Sequence, residues 1–74
     1  MQKEEIEKIA NKVADILATG IGNIISIDID CWHSYASIHI MPELFADLYG
    51  SGDGGDGCFL YKTINAGARV TTIT

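Results

Sequence analysis

From Ile24 to Met41 apolar and polar residues alternate with a period of two on both sides of a short interruption at His33-Ser34. Ile25, Ile27, Ile29 and Cys31 alternate with Ser26, Asp28, Asp30 and Trp32; Ala36, Ile38 and Ile40 alternate with Tyr35, Ser37, His39 and Met41. A strand sends successive side chains to opposite faces, so this pattern specifies two half-buried strands. Parity then tests whether they form a hairpin. A two- or four-residue loop places Cys31 opposite Ala36, Ile29 opposite Ile38 and Ile27 opposite Ile40 on one face. The other face then carries Trp32 opposite Tyr35, Asp30 opposite Ser37 and Asp28 opposite His39. A three-residue loop would mix the two sets. The chain must therefore cover one side of a sheet while the other side stays polar.

The cover is supplied by the N-terminal segment. Ile6, Ile9, Ala10, Val13, Ile16 and Leu17 recur at helical spacing over residues 3 to about 18, with Glu4, Glu5, Lys8, Lys12 and Asp15 on the opposite face. Gly20 and Gly22 end this helix. Pro42 suits the first turn of a short second helix carrying Leu44, Phe45, Leu48 and Tyr49, which Gly50 stops. Residues 50–57, GSGDGGDG, read as a flexible loop. Residues 58–74 read as a second hairpin. A three-residue loop at Asn65-Ala66-Gly67 pairs Ile64 with Ala68, Lys62 with Val70 and Leu60 with Thr72. The expected fold is a single α+β domain over residues 1–74. It has an N-terminal helix packed on a four-stranded, mostly antiparallel sheet in the order α-β-β-short α-β-β.

A chain of 74 residues buries only about 60% of its unfolded surface. Domains this small gain stability from a disulfide, a metal or a partner subunit. A homo-oligomer is therefore expected, favoured also by apolar residues on both faces of the last hairpin and by open sheet edges. The net charge is −5, and its distribution is uneven. Between Lys12 and Lys62 there is no Lys or Arg, and Asp15, Asp28, Asp30, Glu43, Asp47, Asp53 and Asp56 fall in that interval. Such a region repels phosphates, which argues against direct nucleic-acid binding and for a basic protein surface as partner. Solubility alone is the competing explanation. The charged start, MQKEEIEKIANK, has no apolar core of a signal peptide, and no apolar run reaches the ~20 residues of a membrane span. A cytoplasmic location without membrane attachment is expected, with Cys31 and Cys58 reduced and buried as small hydrophobes.

Three candidate sites emerge. Gly50, Gly52 and Gly55 match GxGxxG, but the match follows a helix, precedes a strand and contains two aspartates, so a nucleotide site is not expected. The same loop fails the calcium patterns, with Ile64 standing where an EF-hand needs Glu. The polar hairpin face gathers Asp28, Asp30, Ser37 and His39, flanked by Trp32, His33 and Tyr35. Two carboxylates and an imidazole could hold a divalent metal or support acid–base chemistry. An ordinary solvated sheet face carries the same residues. A third reading is a partner-binding face, because Trp and Tyr bracketing a hairpin loop are the types that most often anchor interfaces. Trp32 could instead fold over the core. No nucleophile motif is present, no cofactor is implied, and a non-enzymatic role is expected.

The stretch ASIHIMPELFADLY (36–49) resembles a pattern in small phage and prophage proteins, in which a strand ending in a hydrophobic pair and Pro leads into a short Phe-containing helix. The closing GARVTTIT resembles the glycine turn and last strand of the same proteins. The long glycine loop departs from them. Some small acidic phage proteins inhibit host defence systems, including anti-CRISPR proteins that occupy nucleic-acid channels. The resemblance implies an inhibitor of a host protein, acting in the host cytoplasm, and transfers no active-site residue. The alternatives are an oligomer that binds or sequesters a nucleotide signal through Lys62, Arg69 and His33, and a small metal-dependent hydrolase using Asp28, Asp30 and His39.

Overall fold

The computed structural model describes residues 2–74. Two helices lie on one side of a mixed five-stranded sheet. Helix α1 spans Lys3–Thr19, strands β1 and β2 span Ile24–Asp30 and Tyr35–Ile40, and helix α2 spans Pro42–Tyr49. Strands β3, β4 and β5 span Gly54–Gly55, Phe59–Asn65 and Ala68–Ile73. The spatial order is β1-β2-β5-β4-β3. All neighbours are antiparallel except the central pair β2 and β5, which runs parallel. The expected α+β class and N-terminal helix are present. The expected four strands become five because the glycine segment contributes β3, and the sheet is mixed because β2 and β5 meet at its centre.

Local chemistry explains each boundary. Glu4 and Glu5 sit in the first turn of α1, where the helix dipole favours acids. Gly20 closes the helix at φ 145°, and its N–H donates to the Leu17 carbonyl. A single 3-10 turn, Ile21–Asn23, then leads into β1. Pro42 opens α2 and Gly50, at φ 62°, ends it.

The core lies between the helices and the inner face of β2 and β5. Ile9, Ile16 and Phe45 from the helices meet Ala36, Ile38, Ile40, Ala68 and Val70, all buried. Each large member contributes roughly 1.5–3 kcal/mol by burial. Thr72 is the buried polar exception, and its hydroxyl donates to the Ile40 carbonyl at 2.9 Å, so its burial leaves no hydrogen-bonding group unpaired.

The first hairpin keeps the expected faces but not the expected pairs. Its turn occupies residues 31–34, so Asp30 faces Tyr35, Asp28 faces Ser37 and Ile29 faces Ala36. Every predicted pair shifts by two residues, which parity cannot detect because a shift of two preserves the faces. A bulge between Ile24 and Ser26 makes Ile25 the extra residue. The second hairpin has the expected register over residues 59–63, with Lys62 facing Val70 and Leu60 facing Thr72, but Asn65 rather than Ile64 faces Ala68, because the turn takes only residues 66–67 and Ile64 is the extra residue of a bulge.

The glycine segment is not a loose connector. The Asp53 N–H donates to the Tyr61 carbonyl at 2.8 Å, and its carboxylate accepts the Thr63 N–H at 2.8 Å and the Lys62 ammonium at 3.1 Å. The Asp56 carboxylate accepts the Cys58 N–H at 2.8 Å. These bonds seat β3 on the edge of β4. Both cysteines are free and exposed, against the expectation that they are buried: Cys31 is in the hairpin turn and Cys58 leads into β4.

Candidate functional site

The outer face of the sheet, away from the helices, carries the residues singled out in the sequence. Strand β1 presents Asp28 and Asp30, and β2 presents Tyr35, Ser37 and His39. The turn between them presents Trp32 and His33. Trp32 is 91% exposed, so it does not fold over the core. Tyr35 at the start of β2 is also exposed, at 42%.

The turn holding Trp32 is built by Asp30. The Asp30 carboxylate lies 2.7 Å from the His33 ring nitrogen Nδ1 and accepts the His33 backbone N–H at 3.1 Å. This is an aspartate turn of the kind that replaces a backbone hydrogen bond by a side-chain one. The His33 ring and then its backbone N–H hold the Asp30 carboxyl below the usual carboxylate range, and the Trp32 N–H adds to the effect. Ser34 completes the turn at φ 53°, a conformation uncommon for a residue with a side chain. A second clamp comes from the neighbouring hairpin. The Ala36 N–H donates to the Gly67 carbonyl at 2.8 Å. Gly67 has φ 147°, and a Cβ there would collide with the Ser34 carbonyl oxygen. Glycine is required because the two turns touch backbone to backbone.

The polar cluster divides into separate pairs. Asp30 is engaged with His33, while His39 turns toward β5 and its Nδ1 lies 3.0 Å from the Thr71 hydroxyl. The Ser37 hydroxyl also meets Thr71, at 3.2 Å. The expected Asp28–His39 pair is replaced by Asp28 opposite Ser37. Among the described residues no group of three His, Cys, Asp or Glu side chains is placed to hold a metal ion. Asp28, Asp30 and His39 do not form such a group.

The parallel pairing of β2 with β5 adds residues to this face that the sequence reading left apart from it. Arg69 is the register partner of Ser37, and Thr71 that of His39. The Arg69 guanidinium stacks 4.1 Å from the centre of the Tyr61 ring on β4. The face is thus acidic on β1 and carries one cation on β5. No local pattern in the sequence marks this pairing, since β1 shows the same alternation and lies at the edge. Beside Arg69 a hollow of about 420 Å³ is lined by Tyr35, Thr63, Asn65, Ala66 and Gly67.

Among the described residues no helix is long and apolar enough to cross a membrane. Compared with family models, curated proteins and solved structures, the chain matches none.

Proposed function

We propose that the chain is a non-catalytic binding protein that docks its hairpin tip on a basic protein surface, in the manner of a phage-type inhibitor of a host defence protein. The observation that supports this most is Trp32, 91% exposed on a turn fixed by its neighbours. Leaving an indole in water forgoes burial of a large apolar surface, and a rigid turn removes the entropic cost of ordering it on contact. Asp28 and Asp30 on the adjoining strand provide the charge that would steer a cationic partner.

The test is capture of host proteins from a bacterial lysate on the immobilised chain, at low and high salt, beside Trp32→Ala and Asp28→Lys. Loss of a buried aromatic anchor costs at least about 2 kcal/mol, a weakening on the order of 30-fold. A protein retained at low salt by the parent chain and lost by both variants supports the reading. Identical captured sets from all three overturn it.

A second reading, a binder of a small anionic ligand such as a nucleotide signal, draws on the hollow beside Arg69. It needs several cations, and two of its three candidates are committed. Lys62 holds Asp53 and His33 holds Asp30. Arg69 is the remaining one, so this reading ranks second. A panel of nucleotides that leaves the melting temperature unchanged would remove it.

A further inference from the structure

Helix α1 does not cover the whole sheet. It packs over β2, β5 and β4, and the inner side of β1 is left open. Ile6, Ala10 and Val13 from α1 and Ile27, Ile29 and Cys31 from β1 and its turn line an apolar groove of about 440 Å³. Ile6, Ile27 and Ile29 are each about half exposed, at 45%, 45% and 50%. Leu17, Ile21 and Ile25, at the end of α1, in the 3-10 turn and at the bulge, are also exposed, at 40%, 84% and 53%. In the groove, Ile6, Ile27 and Ile29 together expose roughly as much surface as one and a half isoleucines free in water, on the order of the few hundred Å² that marks an interaction surface. Strand β1 is also an edge strand of seven residues with unpaired backbone groups, whereas the opposite edge, β3, has two residues. Long, apolar, uncovered edges pair with another strand.

We propose that two copies of the chain pair antiparallel along β1, with Ile27 of each copy on the two-fold axis. The sequence of β1 selects both the occupant and the register. Inner and outer faces must match across the two-fold axis, so residues of equal parity oppose one another. Centring the pair on Ile27 overlaps Ile25 to Ile29; the bulge turns Ile24 to the inner face, so Ile24 and Asp30 at the ends stay unpaired. This register places Ile27 against its own counterpart, Ile25 against Ile29, and Ser26 against Asp28. Centring on Asp28 would oppose two copies of Asp28, and centring on Ile29 would oppose Asp28 with Asp30. Like charges directly opposite are destabilising. Centring on Ile25 or Ser26 also separates the acids but shortens the overlap and runs it through the bulge, so the Ile27 register is the longest that keeps like charges apart, a self-complementarity that an isologous interface requires. On the inner side the two grooves become one apolar seam between the two copies of α1.

The pairing is independent of the role given to Trp32. It leaves the two tips free at opposite ends of a shared strand pair, about 17 Å long for five residues at ~3.3 Å each.

Light scattering coupled to gel filtration tests it over a range of protein concentrations. The expected mass is twice the 8.0 kDa of one chain, returning to one on dilution. Ser26→Asp sets an acid against Asp28 twice in each dimer and should weaken association by roughly 2- to 30-fold, while Ser26→Lys should tighten it. Ser26 is exposed, so neither variant disturbs the core. In a Cys31→Ser, Cys58→Ser background, Ile27→Cys should form a covalent dimer on mild oxidation much faster than Thr63→Cys. A mass of one chain at every concentration overturns the proposal. So do equal effects of the two Ser26 variants, or cross-linking at Ile27 no faster than at Thr63.

Discussion

Gly52 links the glycine segment to the core, and its replacement by alanine gives a graded test of that link. Its φ is 72°, in the left-handed region, and a Cβ there would strike the Tyr61 carbonyl oxygen and sit 2.9 Å from Phe45 Cζ. The left-handed backbone alone costs an alanine about 1–2 kcal/mol. The Phe45 ring cannot readily withdraw, because it is 1% exposed and packs edge-on against Tyr49 with centroids 5.3 Å apart. Crowding of this kind adds about 1–3 kcal/mol. Moving Gly52 instead breaks the adjoining Asp53 bonds to Tyr61, Thr63 and Lys62. The sum, about 2–5 kcal/mol, is a large part of the ~4–11 kcal/mol expected for a chain of this length. In a domain of this size Tm should fall by at least about 8 °C. Gly57→Ala is the internal control, since a Cβ there meets nothing within 4 Å and φ is not in the left-handed region. It should be neutral or stabilising by up to ~1 kcal/mol. Circular dichroism during heating, and urea titration, read both variants. Equal stability of Gly52→Ala and Gly57→Ala would refute the packed description of residues 50–57.

Removing Trp32 should leave folding stability unchanged within about 0.5 kcal/mol, because the side chain touches little of the protein; a larger loss in urea titration would place it in the core. Phe45→Ala should cost about 3–5 kcal/mol, whereas Leu48→Ala on the exposed side of α2 should cost far less; equal losses would contradict the core assignment. The Thr63 N–H and then the Lys62 ammonium lower the Asp53 pKa in the folded chain. A carboxyl depressed on folding adds stability that is fully present above the unfolded value near ~3.9 and is lost as pH falls through the lower folded value. Asp53→Asn should therefore flatten the acid side of a Tm-against-pH profile. A parent profile of the same slope would contradict the Asp53 bonds.

The hairpin faces, both helices and the second hairpin were legible because each is written in local periodicity. Three features were not. The parallel contact of β2 with β5 joins residues more than thirty positions apart in the chain, and alternation says which face a side chain takes but not which strand lies beside it. The shift of the first hairpin by two residues is invisible for the same reason. The glycine segment misled because its composition matches a flexible linker, while Gly52 and Gly54 are small to let the backbone approach Tyr61. In the candidate site, Trp32 and Tyr35 could be named from their position at a hairpin end. Arg69 and Thr71 joined the face only through tertiary pairing. The Asp30–His33 turn could have been read from the three-residue spacing of an aspartate before a polar turn.

The claim that Trp32 is a binding anchor is tested most directly by fluorine NMR, because the chain has one tryptophan. With 5-fluorotryptophan incorporated there should be one narrow resonance, shifted between light and heavy water as an exposed indole requires. In bacterial lysate at low salt it should broaden and move, and high salt should restore it. A resonance that ignores the solvent isotope, or that is the same in lysate as in buffer, would contradict the account.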